Sequence, residues 1–128
     1  MISLILMILA GISNAIMDVL QFKFVRSIFK RDKVQQWIDP SISSQNKWKY
    51  NEYGIWIGEK FFGSSTFFVF LTDFWHFAKF MMLLFIMASI IFYQPLVNWW
   101  VDILIMYCAF TVTFEIFFSK IFIRKKNI

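Results

Sequence analysis

Asp73 and His76 stand three residues apart in the stretch "FLTDFWHFAKF" (70–80), where a carboxylate, an imidazole and the ammonium group of Lys79 interrupt a run of phenylalanine, leucine, alanine and tryptophan. Residues three apart share a face of a helix, so this pair would present both side chains to a common centre. Two kinds of chemistry use such a pair. In the first, His76 is a general base and a carboxylate held protonated by burial is the acid. In the second, the pair ligates a divalent ion, with Asp18 and Glu115 adding oxygen donors from other helices. Carboxylate-rich sets with one imidazole suit Mg²⁺, Mn²⁺, Fe or Zn²⁺, so Asp18, Asp73, His76 and Glu115 are the expected metal ligands and a divalent metal the expected cofactor class. With Asn14 they form the candidate catalytic set, and an ion there would polarise a phosphoryl or acyl oxygen of a lipid or lipid-linked substrate.

A plainer reading uses the same residues as glue. His76 and Lys79 would pair with Asp18, Asp73 and Glu115 to fix helix packing, each contact contributing about 0.6–2 kcal/mol. Whether the protein is an enzyme stays open at this level. The motifs of soluble catalysts are missing: there is no GxSxG, HExxH, phosphate-cradling glycine loop or CxxC. A single histidine excludes any site that needs two imidazoles from one chain, and the lone Cys108 excludes an intrachain disulfide.

The elements that must position these groups follow from composition. Of 128 residues, 59% are apolar and 22% aromatic, with 18 Phe and a mean hydropathy of +0.62, which fits a bilayer better than water as solvent. Three apolar runs are long enough to span: about 2–24, 66–93 and 97–123. The first lacks the basic n-region of a signal peptide and is expected to remain as a span. The expected architecture is therefore an all-α integral membrane protein of one domain, with an interfacial segment (25–65) between the first two helices and a basic tail (124–128). Spans two and three, joined by the tight turn at "YQPLVN", should pair as an antiparallel hairpin.

Orientation follows from the basic residues. Lys23, Arg26, Lys30, Arg31, Lys33, Lys47, Lys49 and Lys60 lie between spans one and two, and Lys120, Arg124, Lys125 and Lys126 lie at the C-terminal end. The positive-inside rule then puts the N-terminus out and the C-terminus in, as a multi-pass protein of a bacterial inner membrane; the Ile, Phe and Lys bias fits a bacterial or phage genome. The net charge of +5 is accounted for by topology and anionic lipid, without nucleic acid. Lys47, Trp48, Lys49, Lys60 and Lys79 are the expected headgroup contacts.

Measured along the helices, Asp18, Asp73, Glu115, Asn14 and His76 fall roughly 9–15 Å from the cytoplasmic end, and Lys79 about 20 Å. Gly11, Asn14, Asp18 and Gln21 form one stripe, and Cys108, Thr111, Glu115 and Ser119 another. These stripes should face each other, since a charge facing lipid near mid-membrane costs about 2.5–3.5 kcal/mol. Ser64, Ser65 or Thr66 should cap span two. "QFKFVRSIFKRDKVQQWI" reads as an amphipathic helix along the headgroups, broken by "DPSISS". Asp102 belongs to no stripe and should be solvated at the outer boundary. The outline also resembles three-span phage holins, matched through the basic ending "KIFIRKKNI", although the long aromatic loop 25–65 departs from their short connections. That resemblance implies an oligomeric holin-like pore; the intramembrane Asp, Glu and His residues add a proton or ion conductor as an alternative, and a structural subunit of a larger membrane complex is a further one.

Overall fold

The computed structural model describes residues 1–33 and 35–125. Three long helices dominate: α1 (Ile2–Phe22), α3 (Phe74–Ile91) and α4 (Trp99–Ile116), with a one-turn helix α2 (Pro40–Ser43) and a small hairpin, β1 (Trp48–Tyr50) and β2 (Trp56–Glu59), between the first two. Each long helix is long and apolar enough to cross a membrane, α4 continuing through a π-helical turn to Ile121. In that turn the Phe122 N–H reaches the Phe117 carbonyl, five residues back, at 2.9 Å.

The central helix is α1. Its span is 39% buried, against 11% for α3 and 6% for α4, because α3 and α4 each lie along α1 rather than along one another. The expected α3–α4 hairpin is thus replaced by two flanking helices on a shared axis. Small side chains allow the close approach: Ala10, Gly11, Ser13 and Ala15 are buried on α1, and Ala78 and Ser89 on α3. A methyl group at Gly11 would sit 2.6 Å from the Phe110 carbonyl oxygen of α4. Ala15 and Val19 pack with Phe122 at one end of the bundle, joined by Phe29, Phe114 and Phe117.

At the opposite end Asp102 ties the α3–α4 turn together. Its carboxylate accepts bonds from the Tyr93 hydroxyl (2.7 Å) and from the N–H groups of Leu96 (2.8 Å) and Val97 (3.1 Å). The side chain is fully covered by this turn, which corrects the expectation of a solvated residue. Asn98 caps α4 through the Val101 N–H, and Ser3 of α1 donates to the Phe92 carbonyl at 3.0 Å.

Several expected boundaries move. The first helix stops at Phe22 instead of running along the headgroups; a single 3₁₀ turn (Phe24–Arg26) follows, and Ser27 then bridges antiparallel to Ile123. That pairing supplies the backbone bonds a longer helix would have made: Ile28 N–H to Phe122 O and Arg124 N–H to Arg26 O, both 2.9 Å. The second long helix begins at Phe74, not at residue 66. Residues 63–72 are apolar enough to extend it, but Gly63 has a positive φ (74°) and the chain winds through turns to Leu71 before Asp73 starts the helix. Lys126, the last basic residue of the expected tail, lies outside the described residues.

Candidate active site at the mouth of α3

Asp73 is the N-cap of α3. Its backbone is extended (φ −156°, ψ 159°), and its Oδ1 accepts the His76 N–H at 2.8 Å, filling one of the free amides of the first turn. The same carboxylate meets the His76 ring: Nδ1 lies 2.9 Å from Oδ1 and 2.8 Å from Oδ2. This geometry suits Nδ1 as donor to the carboxylate, which would leave Nε2 as the free ring nitrogen. The cap expected at Ser64, Ser65 or Thr66 is therefore made by Asp73, while Ser64 bonds Lys47 O (2.7 Å) and Ser65 bonds Glu59.

The loop holds this mouth in place. The Phe74 N–H donates to Trp37 O (2.9 Å), the Trp37 indole N–H to Leu71 O (3.2 Å), and the Asn46 amide to both Gln36 O (2.7 Å) and Thr72 O (2.9 Å). The Trp37 ring packs on Phe74 and Phe77, at centroid distances of 5.2 and 5.7 Å. Asp39 starts α2 by accepting from the Ser41 N–H, with Pro40 at the first helical position, so "DPSISS" begins a helix as well as ending a run. The Ser41 hydroxyl holds the Asp39 carboxyl below its usual range, aided by Lys30 at 3.4 Å. The Ser65 hydroxyl does the same for Glu59.

A cavity of about 350 Å³ opens beside the pair, lined by Gln21, Ser43, Ser44, Lys47, Asp73 and His76, with Pro40 and Trp75. Asp73 is buried and the His76 side chain is 25% exposed, so the carboxylate is shielded while the imidazole can be reached. The Asp73 carboxylate orients the imidazole beside the cavity, and Lys47 brings a positive charge to the cavity wall.

Other expected site residues lie apart from this cavity. Asn14 and Asp18 are half-buried on α1. Glu115 is exposed on α4 and is bonded by the Ser119 hydroxyl one turn on. The α4 stripe does not face inward, because α4 presents Phe110 and Thr113 to Gly11 and leaves Cys108, Glu115 and Ser119 exposed. Among the described residues no three Asp, Glu, His or Cys side chains come together to hold a metal ion, so Asp18 and Glu115 do not join Asp73 and His76. Among the described residues the structural pairing expected for Lys79 is also absent: it is exposed, with its ammonium 5.3 Å from the Trp75 ring centroid.

Of the expected headgroup contacts, Lys47 lines the cavity and Lys60 a second one with Trp37 and Asn46. Lys49 is exposed on β1, and Trp48 packs edge-on against Trp56 at 5.6 Å. Ser43 and Ser44 are the hydroxyls that sequence reading missed. The Asp39–Pro40 start signal was visible, but nothing local told which helix mouth the following serines would face. No family model, curated protein or solved structure matches the chain.

Proposed function

We propose that this chain is a three-span membrane protein, N-terminus out and C-terminus in, whose Asp73–His76 pair performs acid–base chemistry on an ester of a lipid or lipid-linked substrate at the cytoplasmic boundary. The observation that carries this reading is the double engagement of Asp73, which caps α3 and fixes His76 Nδ1 at 2.8–2.9 Å beside an accessible cavity. Three long apolar helices support the membrane assignment, and the basic loop and C-terminal end support the orientation.

In the proposed reaction, Nε2 of His76 takes a proton from a water molecule as its oxygen bonds to the acyl or phosphoryl centre. The ester bond then breaks and the imidazolium returns the proton to the leaving alkoxide, so no oxidant or further reactant is needed. Asp73 stabilises the imidazolium, and Lys47 offsets negative charge on the substrate. Ser43 and Ser44 line the wall on which a substrate oxygen would rest.

The test is lipid mass spectrometry of products after the purified full chain is reconstituted with bacterial phospholipids and with lipid-linked phosphates. Product release that His76→Ala abolishes, with helicity unchanged, is the expected result; no release from either substrate class overturns the reaction. Ion flux through liposomes that survives His76→Ala would favour the oligomeric conductor instead.

A further inference from the structure

A third cavity lies where α1 ends, beyond the pair at Asp73 and His76. It encloses about 470 Å³, within the range of roughly 300–1,000 Å³ typical of ligand sites, and its polar lining is Gln21, Lys23, Arg26 and Ser119. No carboxylate lines it, and among the described residues neither Lys23 nor Arg26 is salt-bridged. The hydroxyl proton of Ser119 is taken by Glu115, so the donors left for a ligand are the two cations and the Gln21 amide. We propose that this cavity binds the phosphodiester of an anionic phospholipid.

The cavity is built rather than incidental. Arg26 is fixed at its backbone by the Arg124 N–H at 2.9 Å, within the pairing of Ser27 with Ile123, and Arg124 also bonds the Lys30 carbonyl. The Lys23 ammonium lies 3.7 Å from the Phe118 ring centroid, which holds it against α4. Phe22 and Val25 on the rim are 68% and 79% exposed, apolar surface that acyl chains would cover. The level also fits: α1 ends at Phe22, so if α1 spans the bilayer the cavity sits among the lipid phosphates. This inference rests on the membrane assignment of the proposed function and not on its reaction. Gln21 lines both cavities.

The experiment is native mass spectrometry of the full chain released from mild detergent after incubation with dioleoyl-phosphatidylglycerol or dioleoyl-phosphatidylcholine. Wild type should retain the anionic phosphatidylglycerol preferentially. Lys23→Gln/Arg26→Gln should lower that retention by roughly tenfold. Arg31→Gln/Lys33→Gln, which removes the same charge from exposed positions outside the cavity, should leave it unchanged. Equal loss in both double variants, or none in either, overturns the proposal, as does full displacement by excess inorganic phosphate, which would mark a small-anion site. Circular dichroism and gel filtration identify a variant that has merely unfolded; in that case Lys23→Arg, which keeps the charge, must retain the lipid and Arg26→Gln alone must weaken it. Loss of lipid preference with the termini still on opposite sides of the membrane defeats this inference alone, whereas termini on one side defeat the membrane reading beneath it.

Discussion

One carboxylate at Asp73 does two jobs that substitution can separate. Asparagine is as good a helix cap as aspartate but lacks the charge that holds an imidazolium, so Asp73→Asn should keep the thermal stability of the protein and lose product formation. Asp73→Ala should lose both, with about 1 kcal/mol of destabilisation from the missing cap, read as a lower melting temperature. A catalytic role for the pair does not survive if Asp73→Asn retains full turnover. Glu59 provides a pH readout. The Ser65 hydroxyl and the Gly63 N–H lower its folded-state pKa, so its contribution to the 59–65 turn is complete above the ordinary carboxylate range and drains away as pH falls through the depressed value. Protection factors at the Gly63 and Ser65 amides, taken relative to the intrinsic exchange rate at each pH, should fall on acidification, and Glu59→Gln should remove that fall. The pairing of Asp73 with His76 could be read from three-residue spacing alone. The facing of Glu115 could not, because the direction of a helix face depends on which neighbour it meets, and Gly11 decided that by admitting the Phe110 backbone.

The helices themselves were visible as long apolar runs: all three end within two residues of the expected ends, and two of the three also start within two residues of the expected starts. The start of α3 was eight residues off because hydropathy cannot distinguish a helix from an apolar turn; the cap at Asp73 and the positive φ at Gly63 do. Two substitutions test the packing that hydropathy left unread. Gly11→Ala places a methyl against a backbone carbonyl that has little room to retreat, and should destabilise the α1–α4 pair by about 1–3 kcal/mol despite the better helix propensity of alanine. An unchanged melting temperature would show that the two helices are less closely held. Asp102→Ala removes the acceptor of three hydrogen bonds in the α3–α4 turn, so it should lower the melting temperature more than Tyr93→Phe, which removes one donor. Equal effects would assign the turn's stability to the tyrosine alone.

For the whole molecule, the proposed orientation puts Ile2 and Lys125 on opposite sides of a membrane. Single cysteines at those positions, in a chain whose own Cys108 is replaced by serine, should be labelled by an impermeant maleimide from outside for Ile2→Cys and only after permeabilisation for Lys125→Cys. Labelling of both from one side would remove the three-span arrangement. Such surface charge arguments were open to sequence reading, since they need only counts of Lys and Arg on each connection. The cavities were not, because each draws residues from segments far apart in the chain: Gln21 with Ser43 and His76 in one, Arg26 with Ser119 in the other.

Because both flanking helices dock on α1, the order of synthesis carries weight. On the proposed three-span reading, α1 is made before both partners, and the loop that follows would give it time in the membrane before either arrives. By the time α3 and α4 emerge, each finds its docking surface already in place, and neither depends on the other for a groove to fill. A chain lacking residues 1–22 would keep two helices that pack on α1 far more than on each other, and it should be degraded in cells unless α1 is supplied as a separate segment.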